Sequence, residues 1–238
     1  MATDGKRDKV FLRTKNCERD YDGSLRCLEE SLRRLKTDYL DLWQFHEIVY
    51  DNDPDWIFER GGIRAAVEAK QAGKVRFIGF TGHKDPRLHL DMLARDFDWD
   101  TVQMPINLMD AHYRSFHKRV VPVCQERGIG VIGMKSLGGG RAAAIIPTEA
   151  GIAVETCLRY ALSQSISTLV VGMKSMSDLA QTLATAHTFT PMDHEEQNRL
   201  LAQVKAVAGD GRFERFKSTN QFDGVYHRKQ HGFPIDTA

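Results

Sequence analysis

The sequence holds only four cysteines in 238 residues, Cys17, Cys27, Cys124 and Cys157, and no two of them form a CxxC pair. That scatter argues against a disulfide framework or a cysteine zinc site, and it suits reduced thiols. No apolar run approaches the ~20 residues needed to cross a bilayer. The opening MATDGKRDKV lacks the apolar core of a signal peptide, so a cytoplasmic protein without a membrane partner is the expectation. Charge of one sign is lacking too. The formal net charge is +1, so no global field draws the chain to nucleic acid or acidic partners. Nine histidines are present, but His83 and His89, or His112 and His117, miss the i,i+4 spacing that sets two ligands on one helix face. No metal site is expected. The glycine stretch LGGGR (137–141) lacks the GK[ST] of a nucleotide P-loop. Arg26, Arg33 and Arg34 are interleaved with Glu29 and Glu30, a solvated helix face and not a nucleic-acid patch.

What is present is the makeup of a globular protein: 42% apolar and 27% charged residues, in a chain long enough to bury a sizeable core. Strand and helix signals alternate. VFLRT (10–14) is strand-like, and GSLRCLEESLRRLKTD (23–38) is an amphipathic helix with Leu25, Leu28, Leu32 and Leu35 on one face. YLDLWQF (39–45) is a strand, followed by a polar connection with Pro54 and a helix over 62–73 closed by Gly73. Strands follow at 75–81, 101–106, 129–136 and 167–173, with helices at 86–96, 115–128, 149–164, 176–188 and 193–209. The stretch 210–238 is polar and shows no clear element.

Strict alternation with short connections predicts a parallel α/β fold, either a doubly wound sheet or a (β/α)8 TIM barrel. No GxGxxG follows the first strand, which weighs against a Rossmann sheet. Six strands are read, the number left by an eightfold barrel without its first two units. In such a barrel the active site lies at the C-terminal ends of the strands. Those ends carry Lys15, His46, Thr81, Gln103, the MKSLGGG stretch and GMKS. Any one of them is unremarkable where a strand runs into solvent, but together they mark a site.

The ordered segments VFLRTK, LKTDYLDLWQFHE, GKVRFIGFTGH, DTVQMPIN, GIGVIGMKSLGGG and LVVGMKSMSDL resemble the aldo-keto reductase superfamily, especially its bacterial branch with a GFTGH strand-five motif. The resemblance runs to about residue 190. It implies a (β/α)8 barrel that passes a hydride between NADP(H), less often NAD(H), and a small-molecule carbonyl or alcohol, without a metal. A carbonyl receiving hydride builds negative charge on oxygen, so it needs an acid and orienting donors. In the family a tyrosine is the acid, a lysine paired with an aspartate lowers its pKa, and a histidine orients the carbonyl. Lys15 matches that lysine and His46 that histidine.

For the cofactor, the resemblance places Thr81 and Gln103 at the nicotinamide amide. Gly82 stands where the family commonly has asparagine. Met134 replaces the aromatic that stacks on the ring and is a softer platform. Lys135, Ser136, Leu137 and Gly138 fall at the pyrophosphate. Gly172, Met173, Lys174 and Ser175 precede a helix beginning near Asp178, and Lys174 is placed to favour the 2′-phosphate. Thr182 stands where the family has an adenine-contacting asparagine. The connection 49–62 is a candidate wall of the substrate pocket.

The family's aspartate and tyrosine belong to its first βα unit, and no residue here matches them. Tyr21 and Asp22, or Tyr39 and Asp41, fall in other loops. The resemblance therefore implies an incomplete barrel, its first two βα units absent, with Met1 an internal methionine. Residues 1–209 form the barrel part and 210–238 a tail. Two other readings stay open: a non-catalytic nucleotide-binding or regulatory barrel, and a barrel enzyme in which Lys15 forms a Schiff base.

Overall fold

The computed structural model describes residues 5–139 and 145–235; Met1, Gly140, Arg141 and the last three residues of the tail lie outside them. Six strands, β1 (Arg13–Asn16), β2 (Leu40–Phe45), β3 (Val75–Thr81), β4 (Thr101–Pro105), β5 (Gly130–Met134) and β6 (Thr168–Leu169), form a sheet in the order β1-β2-β3-β4-β5-β6. The pairs β1–β2, β2–β3 and β5–β6 are parallel. Each strand lies beside its predecessor in the chain, the connectivity of a βα barrel wall. The order ends at β1 and β6.

Twelve helices are described. They are α1 (Tyr21–Leu35), α2 (Asp53–Glu59), α3 (Gly62–Gln71), α4 (Pro86–Ala94), α5 (Phe116–Arg119), α6 (Val121–Glu126), α7 (Ile145–Ala150), α8 (Val154–Leu162), α9 (Met176–His187), α10 (His194–Ala208), α11 (Arg215–Ser218) and α12 (Val225–Gln230). None is long and apolar enough to cross a membrane.

Several boundaries differ from the sequence reading, each for a local reason. The stretch over 49–62 contains α2, with Pro54 in the first turn where its missing N–H costs nothing. The helix expected over 115–128 is two, α5 and α6, and Pro122 opens the second. The helix expected over 149–164 is interrupted at Gly151, whose φ of 64° is left-handed. The last strand shrinks to two residues, which are half-buried or exposed, as suits a strand at one end of the order. The segment read as structureless from 210 onward holds α11 and α12. Their buried positions include Lys217, His227 and Arg228, so no apolar periodicity reveals them.

The chain divides into two compact units. The first comprises residues 1–82, 87–102 and 223–238. All six residues of β2 are buried, including Asp41 and Gln44, so the strand is covered on both faces. Asp41 accepts from the Leu12 N–H (2.7 Å) and pairs with Arg76 (2.6 Å) and Arg7 (2.9 Å), which compensates its burial. Phe45 and Phe80 pack edge-on against Trp99, with centroids 6.2 and 4.8 Å away. Helix α1, capped by Asp20 onto the Gly23 N–H, buries Leu28 and Leu32 of the predicted apolar face.

The second unit comprises residues 83–86 and 103–222. Its core gathers Leu108, Met109, Ile146, Cys157, Tyr160 and Val204. Beside it the buried Lys217 ammonium bonds Asp110 (2.7 Å), Glu214 (3.0 Å) and the Tyr113 carbonyl (2.8 Å). Two carboxylates thus share one buried cation. Burial pushes the Glu214 carboxyl up to about 7; Lys217 pulls it back and Asp110 pushes it further up.

Two outcomes are expected. The folded chain holds the Glu214 proton more tightly than the unfolded chain, so this group's stabilising contribution is complete below about pH 4.5 and is lost as pH rises to about 7. Glu214→Gln should flatten that decline in guanidinium unfolding at several pH values, and an unchanged slope would contradict the assignment. At Gly82, just past β3, an added Cβ would lie 2.4 Å from the Ile48 carbonyl oxygen and 2.7 Å from His89. Gly82→Ala should therefore destabilise by ~1–3 kcal/mol in the same assay, and a loss well under that range would show that the loop yields freely.

Candidate active site

In the first unit the register sets Lys15 opposite Gln44, and His46 follows β2 directly. The His46 N–H donates to the Asn16 carbonyl at 2.8 Å, which pins the ends of β1 and β2 side by side. Lys15 is half-buried; desolvation lowers its pKa, the Arg13 charge adds to this, and Cys17 and Glu47 oppose it. The His46 Nδ1 lies 3.6 Å from the Cys17 Sγ and 3.3 Å from the His227 Nε2. Glu47, next along, holds a left-handed φ of 57°, a conformation that costs a non-glycine residue ~1–3 kcal/mol. Its carboxylate accepts from the Gly224 N–H and lies 3.6 Å from the His227 Nε2.

Burial is the largest influence on the Cys17 thiol and the His227 ring. It raises the Cys17 thiol to about 11 and lowers His227 to about 4, the latter helped by the Arg19 charge. Arg19 is itself buried. It bonds Asp53 at 2.9 Å, the carbonyls of His46 (2.9 Å) and Glu47 (3.2 Å), and approaches the His227 Nδ1 at 3.4 Å. Asp53 in turn accepts from the N–H groups of Val49 and Tyr50 and from His231. The connection read as a candidate pocket wall thus packs around this ion pair, with His231 stacked on Trp56 at 4.4 Å. Thr81, at the end of β3, is buried, and its carbonyl accepts from the Ile48 N–H at 2.8 Å.

The second unit carries the other sequence-predicted residues. Gln103, on β4, is buried and donates its amide N–H to the Met134 sulfur at 3.2 Å, so these two meet directly. Past β5 the backbone turns sharply. Lys135 has φ 56°, Gly138 φ 86° and Gly139 φ 72°, and the Gly138 N–H donates to the Lys135 carbonyl at 2.8 Å. At Gly138 a Cβ would meet Ile145 and Ile146 at 3.1 Å, so glycine is required on both conformational and packing grounds. Lys135 extends over the Phe216 ring at 4.7 Å.

The turn forms one wall of a cleft of about 320 Å³. Lys135, Ser136 and Leu137 line it from β5, and Gly172, Lys174 and Asp178 line it from the β6–α9 side. Gly138 and Ser175 flank the cleft without lining it. Ser175 caps α9: its Oγ accepts from the Asp178 N–H at 3.1 Å, and Asp178 accepts from the N–H groups of Lys174 (2.8 Å) and Ser175 (3.1 Å). These bonds, the Lys174 N–H foremost, hold the Asp178 pKa below its usual value. The sequence reading missed Gly139, Val154, Val170 and Gln181, which also line the cleft. It missed His227 altogether, and no local signal marks that residue. The structure thus groups Lys15, His46 and Thr81 within one unit, and Gln103, Met134 and the cleft residues within the other.

Comparison with known proteins identifies the family and the fold. A curated relative, L-galactose dehydrogenase of Arabidopsis thaliana, is 27% identical over 211 residues, covering 76% of this chain. The chain spans 62% of that relative's length. Among solved structures, an aldo-keto reductase from Bacillus halodurans superposes with a TM-score of 0.67 at 22% identity, over 90% of this chain and 77% of the other. A Bombyx mori aldo-keto reductase in complex with NADP superposes with a TM-score of 0.58 at 18% identity, over 83% and 68%. The model of the Aldo/keto reductase family matches residues 1–151. With that match over more than half its length, the chain belongs to the aldo/keto reductase family.

Proposed function

We propose that this chain carries the cofactor-binding part and two active-site side chains of an NADP(H)-linked oxidoreductase acting on a small carbonyl or alcohol. The observation that supports this best is the cleft beyond β5 and β6. Two lysines, Lys135 and Lys174, a serine hydroxyl and the backbone of Gly139 and Gly172 line its polar side, while Val154, Val170 and Met173 line the apolar side. That donor set suits a ligand with phosphates at one end and a flat ring at the other. Gly172 has open space where a Cβ would stand, so a phosphate can approach its backbone. The Asp178 cap already satisfies the N–H groups of Lys174 and Ser175. The lysine side chains, rather than the α9 dipole, therefore supply the attraction for phosphate.

NADP(H), when bound, supplies or takes up the hydride. Lys135, Ser136, Leu137 and Gly138 would hold its pyrophosphate and Lys174 its 2′-phosphate, with Gln103 and Met134 at the nicotinamide. His46 positions the carbonyl oxygen by donating a ring N–H to it. Lys15 places a cation where negative charge grows on that oxygen, and its desolvated setting strengthens that interaction. No residue of this sequence is assigned the acid's role. The Schiff-base alternative needs Lys15 as a nucleophile, and borohydride trapping of a carbonyl on it would favour that reading.

Titration calorimetry with the chain as it stands tests the cofactor assignment. Lys174→Ala should weaken NADP⁺ binding about tenfold or more, a loss of ~1.4 kcal/mol, while NAD⁺ binding changes little. Equal losses for both nucleotides, or no binding to the parent chain, would contradict it. In NADPH-dependent reduction of a small aldehyde by an enzyme completed with the family's first two βα units, Lys15→Met and His46→Ala should each lower kcat/KM by about a hundredfold or more without altering the far-UV dichroism. Parent-like rates in both variants would overturn the catalytic assignment.

A further inference from the structure

We infer that Cys17, His46 and His227 form a three-ligand binding site for a zinc-class divalent cation. The three donor atoms, the Cys17 Sγ, the His46 Nδ1 and the His227 Nε2, all lie within 4.8 Å of one another. The individual edges are more telling. A tetrahedral zinc with Zn–S of about 2.3 Å and Zn–N of about 2.0–2.1 Å has S···N edges of about 3.6 Å and N···N edges of about 3.3 Å. The Cys17 Sγ–His46 Nδ1 distance is 3.6 Å and the His46 Nδ1–His227 Nε2 distance is 3.3 Å. A Glu47 carboxylate oxygen stands 3.6 Å from the His227 Nε2 and adds negative charge beside the three donors.

The surroundings suit a cation. His227 must present Nε2 to the ion with its proton on Nδ1, where the Gln230 Oε1 stands 3.2 Å away as an acceptor and the Arg19 guanidinium 3.4 Å away. Such an outer partner fixes the tautomer and the ring plane of a ligating histidine. The Glu47 carboxylate is steered by the Gly224 N–H at 3.0 Å and by its own left-handed backbone. On binding, the Cys17 thiol gives its proton to solvent and the thiolate sulfur bonds the metal. The thiolate and the Glu47 carboxylate together then balance the two positive charges. Arg19, the cation packed closest to His227, is neutralised by Asp53 at 2.9 Å. Imidazole and thiolate donors select zinc over magnesium or calcium.

The residues just after β1 and β2 and one residue of α12 bring the three donor atoms together, with two of their separations at metal-type edges. His227 lies 181 positions from His46, so the ion would close a long loop and staple α12 onto the ends of β1 and β2.

The test is to titrate the full chain, first stripped with a chelator, with Co²⁺ and then with Zn²⁺. The site predicts one equivalent of Co²⁺, the visible d–d absorption of a tetrahedral ion, a near-ultraviolet thiolate-to-cobalt band, and displacement of all three signals by Zn²⁺. Cys17→Ser should lose the thiolate band, His227→Gln should weaken binding about tenfold or more, and Cys27→Ser should leave both unchanged. Weak octahedral absorption without a thiolate band overturns the site. So does a band that survives Cys17→Ser, or unchanged affinity in His227→Gln. Should a variant fail to fold, as judged by far-UV dichroism, the parent spectrum decides alone: without the thiolate band there is no Cys17 ligand.

Discussion

The Arg19–Asp53 ion pair is the interaction on which the first unit's site depends. Both side chains are almost wholly buried, with 2% and 0% exposure. A buried pair offsets its desolvation only when every remaining donor and lone pair is also used. Here most are. Arg19 reaches the carbonyls of His46 and Glu47, while Asp53 takes two backbone N–H groups and His231. One guanidinium therefore fixes the backbone just after β2, where His46 and the strained Glu47 sit, and one carboxylate fixes the start of α2 and the segment after α12. Removing either partner strands a buried charge, at a cost of ~3–5 kcal/mol. His46 would lose its orientation before it lost its chemistry.

The cleft of the second unit is arranged differently. It relies on backbone shape rather than buried charge. The left-handed turn at Lys135, Gly138 and Gly139 and the capping box at Ser175 and Asp178 place two flexible lysines on the same opening. Lysines on long stems are point charges that adapt to a phosphate, whereas a guanidinium fork would impose one geometry. Met134, held against Gln103, presents a polarizable thioether there. These features suit a nucleotide site that tolerates variation in its ligand's ring end.

Much of this was legible in the sequence. Strand β2 read cleanly because it is buried on both faces, β3 because most of its residues are buried and polar turns bound it, and Lys15 and His46 stood out as polar groups ending apolar runs. The MKSLGGG and GMKS segments stood out as glycine and lysine clustered directly after a strand. The Cys17–His46–His227 group was not readable. Its members lie 29 and 181 positions apart, far beyond any local spacing rule. Helix α12 was hidden for a related reason: it buries His227 and Arg228 through polar contacts, so hydrophobic periodicity has nothing to report. The crowding at Gly82 was equally invisible, since it depends on the Ile48 carbonyl from another loop.

The claim at the centre of this account is that the β5 and β6 ends form a nucleotide-binding cleft. Backbone amide NMR of the isotopically labelled chain during NADP⁺ titration addresses it most directly. The account predicts that saturable shifts cluster at Lys135–Gly139 and at Gly172–Asp178, with Gly172 among the largest. Shifts absent from both segments, or concentrated elsewhere in the chain, would contradict it.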